Sequence, residues 1–358
     1  MKNFKRNTGI HTFEIQCGLT YEQFLAVKDA LYSISCGMGS RCFPQNNFLK
    51  CTAFSDHGLT VFFSSRLLKL TVNPSCLLNS SDILGLYHLE KYSTSLLEML
   101  SRLIRFLELF LPENILPTLS ISRADYTIDT FLPSDEHVLL MIKLAKKNGL
   151  PKGFRETYPA KCRMAPDWNN SASYNVSRKD GSFCVNLYSK HVQLSAGRKN
   201  IPADILEQSE GLLRTEISCA YPQNALPFWQ EETFSELFDP ENLFSVYEDI
   251  LPKLFPYGTY LKSPAVKDKI EKEYKNQRTW KKHLLNFLDI VTKYHSFHDA
   301  YKRFSNKNIL KRDLLDAFYS IDVNPVTIAI NDKISILPSI YAILGLKSSL
   351  RQQAIQII

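Results

Sequence analysis

Phe183-Cys184-Val185-Asn186-Leu187-Tyr188-Ser189-Lys190 is a strand-like segment in which apolar and polar side chains alternate. Period two places Asn186, Tyr188 and Lys190 on one face. Two further runs pair an arginine with acids: Arg123-Ala124-Asp125-Tyr126-Thr127-Ile128-Asp129 and Arg214-Thr215-Glu216-Ile217. In the first, Arg123, Asp125, Thr127 and Asp129 project together, so one face carries the charges and the other the core. Short strands of this kind predict an α+β domain built on antiparallel sheet with helices packed against it.

Outward from these strands, Thr12 to Gln16 reads as extended, Tyr21 to Leu31 as helix, and two β-like runs flank Asp56-His57-Gly58. Lys69-Leu70-Thr71-Val72-Asn73-Pro74 is a strand stopped by Asn-Pro. From Asp82 to Phe110, the apolar spacing of Leu96, Leu100, Leu103, Leu107 and Phe110 predicts one long amphipathic helix. Leu119 to Thr130 is a strand, and Asp135 to Asn148 a helix closed by Gly149. A hairpin at Asp180-Gly181, a helix near Pro202 to Ser209 and a strand from Gly211 to Cys219 complete the unit. The echo of strand, helix and strand between Asn73–Asp125 and Tyr188–Glu216 predicts a pseudo-twofold duplication.

The chain has 358 residues, 44% of them hydrophobic, which is enough for a sizeable core. No stretch reaches the roughly 18 apolar residues of a spanning helix, and the start has no apolar signal region, which predicts a soluble, cytoplasmic protein with no membrane partner. The eight cysteines form no Cys-x-x-Cys pair and read as reduced thiols. Cys36, Cys42 and Cys51 are clustered but irregularly spaced and lack a fourth ligand, which argues against zinc.

Net charge is +7, yet Lys262 to Arg312 holds 14 basic against 5 acidic residues. Between Pro222 and Pro264 lie six prolines and an acidic run without Lys or Arg. A boundary near residue 260 follows: a catalytic domain over 1–260 and a basic helical region over 261–358 that contacts DNA. The latter reads as helices at Lys267 to Lys282, Leu284 to Arg303 and Lys311 to Tyr319. A solvated helical face explains the same charge equally well.

Tyr188 beside Lys190, with Arg178 and Lys179 before the adjoining turn, sets phosphate-binding cations near a phenol. A phenol needs such cations to act as a nucleophile at neutral pH. Asp125, Asp129 and Glu216 sit in apolar strands and need cations, either arginine or a divalent metal; oxygen ligands favour Mg²⁺ or Mn²⁺. The bland alternatives are a ladder of ion pairs to Arg123 and Arg214, and a strand tyrosine bonded to a carboxylate.

The order Leu-Lys-Leu-Thr-Val-Asn-Pro at 68 to 74, Arg-x-Asp-x-x-x-Asp at 123 to 129, Tyr-x-x-x-Arg-Lys-Asp at 174 to 180, Asn-Leu-Tyr-Ser-Lys at 186 to 190 and Leu-Arg-Thr-Glu-Ile at 213 to 217 resembles the trans-acting Rep family of rolling-circle plasmid replication initiators and related conjugative relaxases. The resemblance implies that Tyr188 nicks an origin strand, keeps the 5′ phosphate as a phosphotyrosine and frees a 3′ hydroxyl. It matches Asp125, Asp129 and Glu216 to acidic positions that would hold the metal, and Lys190 and Arg178 to basic ones. Tyr174 is the reserve nucleophile. Arg123, Lys179, Arg214, Lys281 and Lys282 are expected on DNA, and the resemblance also implies a homodimer and a host helicase partner.

The sequence departs from the family in its first strand, where Lys69-Leu70-Thr71-Val72 carries no acid, and in a longer turn before Tyr188. His295 and His298 read as ordinary helical residues. No Gly-x-x-x-x-Gly-Lys-Ser/Thr loop occurs, so no ATPase of its own is expected. A relaxase, or a DNA-binding regulator without enzymatic activity, are the alternative readings.

Overall fold

The computed structural model describes residues 4–39, 42–78, 86–89, 95–157, 172–196, 201–220, 226–228, 230–304 and 309–346. Its centre is an antiparallel sheet of β1 (Arg6–Gly18), β2 (Cys42–Gln45), β3 (Phe48–Cys51), β4 (Leu59–Phe63), β5 (Leu67–Val72), β6 (Tyr87–His88), β7 (Ser120–Phe131), β8 (Phe154–Glu156), β9 (Ser173–Arg178), β10 (Phe183–Ser189), β11 (Leu212–Ala220) and β12 (Leu226–Pro227). The strand order is β2-β3-β4-β5-β1-β7-β11-β10-β9-β8, with β6 added beside β1 and β12 beside β7. This is the α+β architecture expected from the alternating strands.

The order resolves into two copies of one plan. In the first, β1 leads into helix α1 (Tyr21–Gly37), then through β2, β3 and β4 to β5, which pairs back onto β1. In the second, β7 leads into the helix Asp135–Lys146, then through β8, β9 and β10 to β11, which pairs back onto β7. β1 and β7 join the copies antiparallel. A twofold axis normal to the sheet relates them, so equivalent positions present the same face. The duplication is therefore real, but its units run from β1 to β5 and from β7 to β11, not over the Asn73–Asp125 and Tyr188–Glu216 segments. The sequence echo failed because it aligned β5 with β10, whereas pairing aligns β5 with β11.

Local chemistry starts these elements. Thr20 caps α1, accepting from the Gln23 amide while the Gln23 side chain accepts from the Thr20 N–H, a reciprocal box that satisfies two first-turn donors. Gly58 (φ 77°) carries the tight link into β4. The expected 82–110 helix is shorter than predicted: Ser95–Glu108 is helical, Tyr87–His88 is the strand β6, and residues 79–85 and 90–94 lie outside those described. β6 lies against Gly9, where a Cβ would meet Tyr87 O at 2.1 Å, so this strand depends on a contact that helical spacing cannot reveal.

The apolar side chains collect on one side of the sheet. Phe13, Ile15, Leu70, Val72, Ile128, Val185, Leu187 and Ile217 are buried on the face that helices cover. Asp135–Lys146 packs on β9, β10 and β11, and Ile340–Leu344 on β7. The C-terminal region is helical as expected, with different breaks: Ser263–Glu273, Arg278–Tyr294 and Phe297–Arg303 replace the two helices predicted over Lys267–Lys282 and Leu284–Arg303, while Lys311–Ser320 matches the third. His295, at φ 49°, forms one break and ends its helix. A single hydrophobic core runs from Ile10 to Leu346, across the position at residue 260. Among the described residues no helix is long and apolar enough to cross a membrane.

Candidate active site

The opposite face carries the polar side chains, most of them buried, and register sets their order. Tyr188 pairs with Arg214 and Asn186 with Glu216 across β10–β11. Arg214 in turn faces Asp129, Glu216 faces Thr127 and Ser218 faces Asp125 across β11–β7. The Tyr188 hydroxyl donates to Glu216 Oε1 at 2.7 Å. His11 Nδ1 lies 3.0 Å from the same oxygen.

Arg214 is fully buried, and its Nε and Nη2 each donate to Asp129 at 2.7 Å. Such a bidentate fork is what a buried guanidinium requires. Burial alone would lower the Arg214 pKa, but the Asp129 carboxylate outweighs it and holds the cation well above its ordinary value. Asp125 accepts from Thr12 Oγ1 and from Arg123 Nη2, and Arg123 continues to Glu14 Oε2 at 3.5 Å. Lys69 completes the chain at 2.8 Å from Glu14 Oε1. A continuous line of ion pairs and hydrogen bonds thus crosses the face from Lys69 to Arg123 and Asp125.

Electrostatics fixes the resting state of the phenol. Burial, then the Glu216 charge, push Tyr188 well above its ordinary value, while Arg214 pulls it down. Burial also acts to raise Glu216, but His11, Arg214 and the Tyr188 hydroxyl prevail and hold it at about 2. The resting pair is therefore a neutral phenol on a carboxylate.

Of the residues singled out by sequence, the structure gathers Tyr188, Glu216, Arg214, Asp129, Asp125 and Arg123 on one face. Lys190 is not a strand residue: β10 ends at Ser189, whose side chain caps a helix over Lys190–Ser195, so period two no longer places Lys190 beside Tyr188. Arg178 and Lys179 stand at the β9–β10 turn. Tyr188 is opposite Ser173, five residues from Arg178, or roughly 17 Å along the strand. Arg178 pairs with Asp180 at 2.9 Å and falls out of phase with Asn175 and Ser177, which share the polar face. Arg214, fully buried, has no surface to offer DNA. Tyr174 is buried on the helical side against Phe255, and burial raises its phenol further. Lys281 and Lys282 lie on the Arg278–Tyr294 helix, not on a strand of this sheet.

The three carboxylates expected to hold a metal are each engaged separately: Asp129 by Arg214, Asp125 by Arg123 and Thr12, Glu216 by Tyr188 and His11. Among the described residues no group of three or more His, Cys, Asp or Glu is placed to hold a metal ion. The donor set as arranged does not fit a bound Mg²⁺ or Mn²⁺. Cys17, Cys36, Cys42, Cys51, Cys76, Cys184 and Cys219 are free thiols, and Cys162 lies outside the described residues. His298 is a buried histidine whose Nε2 donates to Leu254 O.

Sequence reasoning missed His11, Thr12 and Glu14. Its only signal is a broken alternation: β1 shifts register between Ile10 and Phe13, which turns His11 and Thr12 toward the polar groups of β7 and β11.

No family model matches the chain, and no curated protein matches it. Among solved structures, a rolling-circle replication initiator protein from Geobacillus stearothermophilus is similar at TM-score 0.32 and 12% identity, over 70% of this chain and 86% of that one. At that level the residues themselves carry the functional reading.

Proposed function

We propose that this chain nicks and rejoins DNA at a replication origin through a 5′-phosphotyrosine on Tyr188, as a rolling-circle initiator of the trans-acting Rep type. The observation that carries this reading is the Tyr188 hydroxyl held on Glu216, in register with Arg214, on the polar face of the sheet. The order of motifs in the chain, which resembles that of the family, supports the same reading.

In the reaction, the Tyr188 oxygen attacks phosphorus while its proton passes to Glu216. The P–O3′ bond breaks, and the departing 3′ oxygen takes up the proton. One ester replaces another, so the reverse step rejoins the strand. A carboxylate held at about 2 is a weak base at neutral pH, so Glu216 chiefly orients the phenol through its hydrogen bond and passes on at once any proton it takes. The Arg214 charge favours the phenolate as it develops. Asp129 keeps that charge in place and is a positioning residue.

The raised Tyr188 pKa supports a second reading, in which the phenol and Glu216 are a structural pair on a DNA-binding regulator. Labelled supercoiled and single-stranded DNA from the protein's own replicon separates the two. Assayed both with and without Mg²⁺ or Mn²⁺, the enzyme gives a DNA–protein adduct that survives denaturation and disappears in Tyr188→Phe. Salt-sensitive binding without an adduct from either protein leaves the regulator.

A further inference from the structure

The twofold relation gives the Tyr188 site a counterpart in the first copy. Gln16 pairs with Lys69 two residues before the end of β1, as Asp129 pairs with Arg214 two residues before the end of β7. On the next strand out, Phe62 faces Lys69 as Tyr188 faces Arg214. Phe62 therefore stands where the second copy has its tyrosine. A phenyl ring has no oxygen with which to attack phosphorus, so this position cannot perform the reaction of Tyr188.

The charge has changed as well. Where the second copy has Asp129 and Glu216, the first has Gln16 and Thr71, and the cation is retained as Lys69. Phe43, Lys50, Phe62 and Lys69 then form one row across β2, β3, β4 and β5. The Lys50 ammonium lies 5.8 Å from the Phe43 ring centre and 5.4 Å from that of Phe62. Phe43 is 41% exposed, and Lys50 has no carboxylate partner among the described residues. The two rings stand two strands apart, about 10 Å, with the cation between them. The row continues through the Lys69–Glu14–Arg123 chain toward the tyrosine.

We propose that this degenerate copy is a stacking platform for single-stranded DNA: bases stack on Phe43 and Phe62, and phosphates are held by Lys50 and Lys69. Alternating rings and cations fit an unpaired strand, whose bases are free to stack, and not a duplex, whose bases are already paired. The choice of DNA as the polynucleotide rests on the proposed nicking function. The stacking surface itself does not.

Fluorescence anisotropy of labelled oligo-dT twenty nucleotides long, against a duplex of equal length, tests the platform on the full chain. Phe43→Leu and Phe62→Leu keep apolar bulk and remove the flat ring; together they are expected to weaken oligo-dT binding about tenfold or more while changing duplex binding little. Lys50→Gln is expected to lower the salt slope for single strands by about 0.7. Unchanged oligo-dT affinity in the double variant, with an unchanged circular dichroism spectrum, overturns the platform. Equal losses for single strand and duplex also overturn it, as does a shift from dimer to monomer in sedimentation, which makes the face a contact between two copies of this chain. Tyr188→Phe is the separating control. If it leaves oligo-dT binding intact and no adduct forms in the unaltered protein, the nicking function fails while the platform stands.

Discussion

At the residue scale, Arg214 and Asp129 decide how the polar face is held. A guanidinium with no exposed surface is stable only while its carboxylate is present, because the remaining charge would otherwise stand uncompensated in the core. Asp129→Asn is therefore expected to destabilise by roughly 3–5 kcal/mol, read as a lower urea midpoint. A fall of less than about 1 kcal/mol would return Asp129 to the role of an open metal ligand. Two side chains set the acid limb of stability. Burial pushes His298 down to about 4 from an ordinary 6.5. Between those values the unfolded chain binds the proton and the folded chain does not, so stability falls as pH drops from 6.5 toward 4, by about 3 kcal/mol in full. Glu216, held at about 2 against an ordinary 4.5, adds a second loss from 4.5 toward 2. Thermal melts across pH 7 to 3 are expected to show His298→Gln flattening the upper window alone. Tyr188, Glu216 and Arg214 were legible in the sequence because alternation within a strand fixes which side chains share a face. His11 was not, because it enters through a bulge in a strand more than a hundred residues from its neighbour β7.

At the scale of elements, boundaries went wrong where a tertiary contact overrode a local pattern. Helical spacing continues through Tyr87 and His88, yet these residues pair with Gly9 and Ile10. Gly9 permits the approach, since any Cβ there falls 2.1 Å from Tyr87 O and 2.9 Å from the Leu86 side chain. Gly9→Ala is expected to detach β6 at a cost above roughly 2 kcal/mol, with the loss appearing as faster amide exchange at the β6 pairing and a lower urea midpoint. Unchanged protection there would mean that β6 is held by its other neighbours, such as the Tyr87 ring against Phe238. Lys190 shows the same limit from the other direction. The alternating pattern runs on to residue 190, but Ser189 accepts from the Val192 amide and turns the chain into a helix one residue earlier. A hydroxyl that caps is not distinguishable, by type alone, from one that lines a strand.

At the scale of the whole molecule, composition marked a change of character near residue 260, and the packing there is continuous. Arg6 in β1 donates to the carbonyls of Ile343 and Ala342 at 2.7 Å, tying the first described strand to the last described helix. Tyr341 donates to Phe255 O at 2.7 Å, and its ring stacks on Tyr257 at 4.0 Å between centres. Gly258, at φ 96°, lets the chain pass Val323, where a Cβ would lie 2.4 Å from the carbonyl carbon. Ile340–Leu344 covers part of the apolar side of β7. Removing residues 261–358 would bare that side, together with Phe255 and Tyr257, to water, and each large side chain so exposed forfeits about 1.5–3 kcal/mol. Several such losses exceed the usual 5–15 kcal/mol of a folded domain. A chain ending at residue 260 is therefore expected to lose its near-ultraviolet circular dichroism and to unfold without a cooperative transition, while the full chain melts in one step. A truncated chain that melts cooperatively and retains oligo-dT binding would separate the sheet from its helices and make the basic region a true second domain.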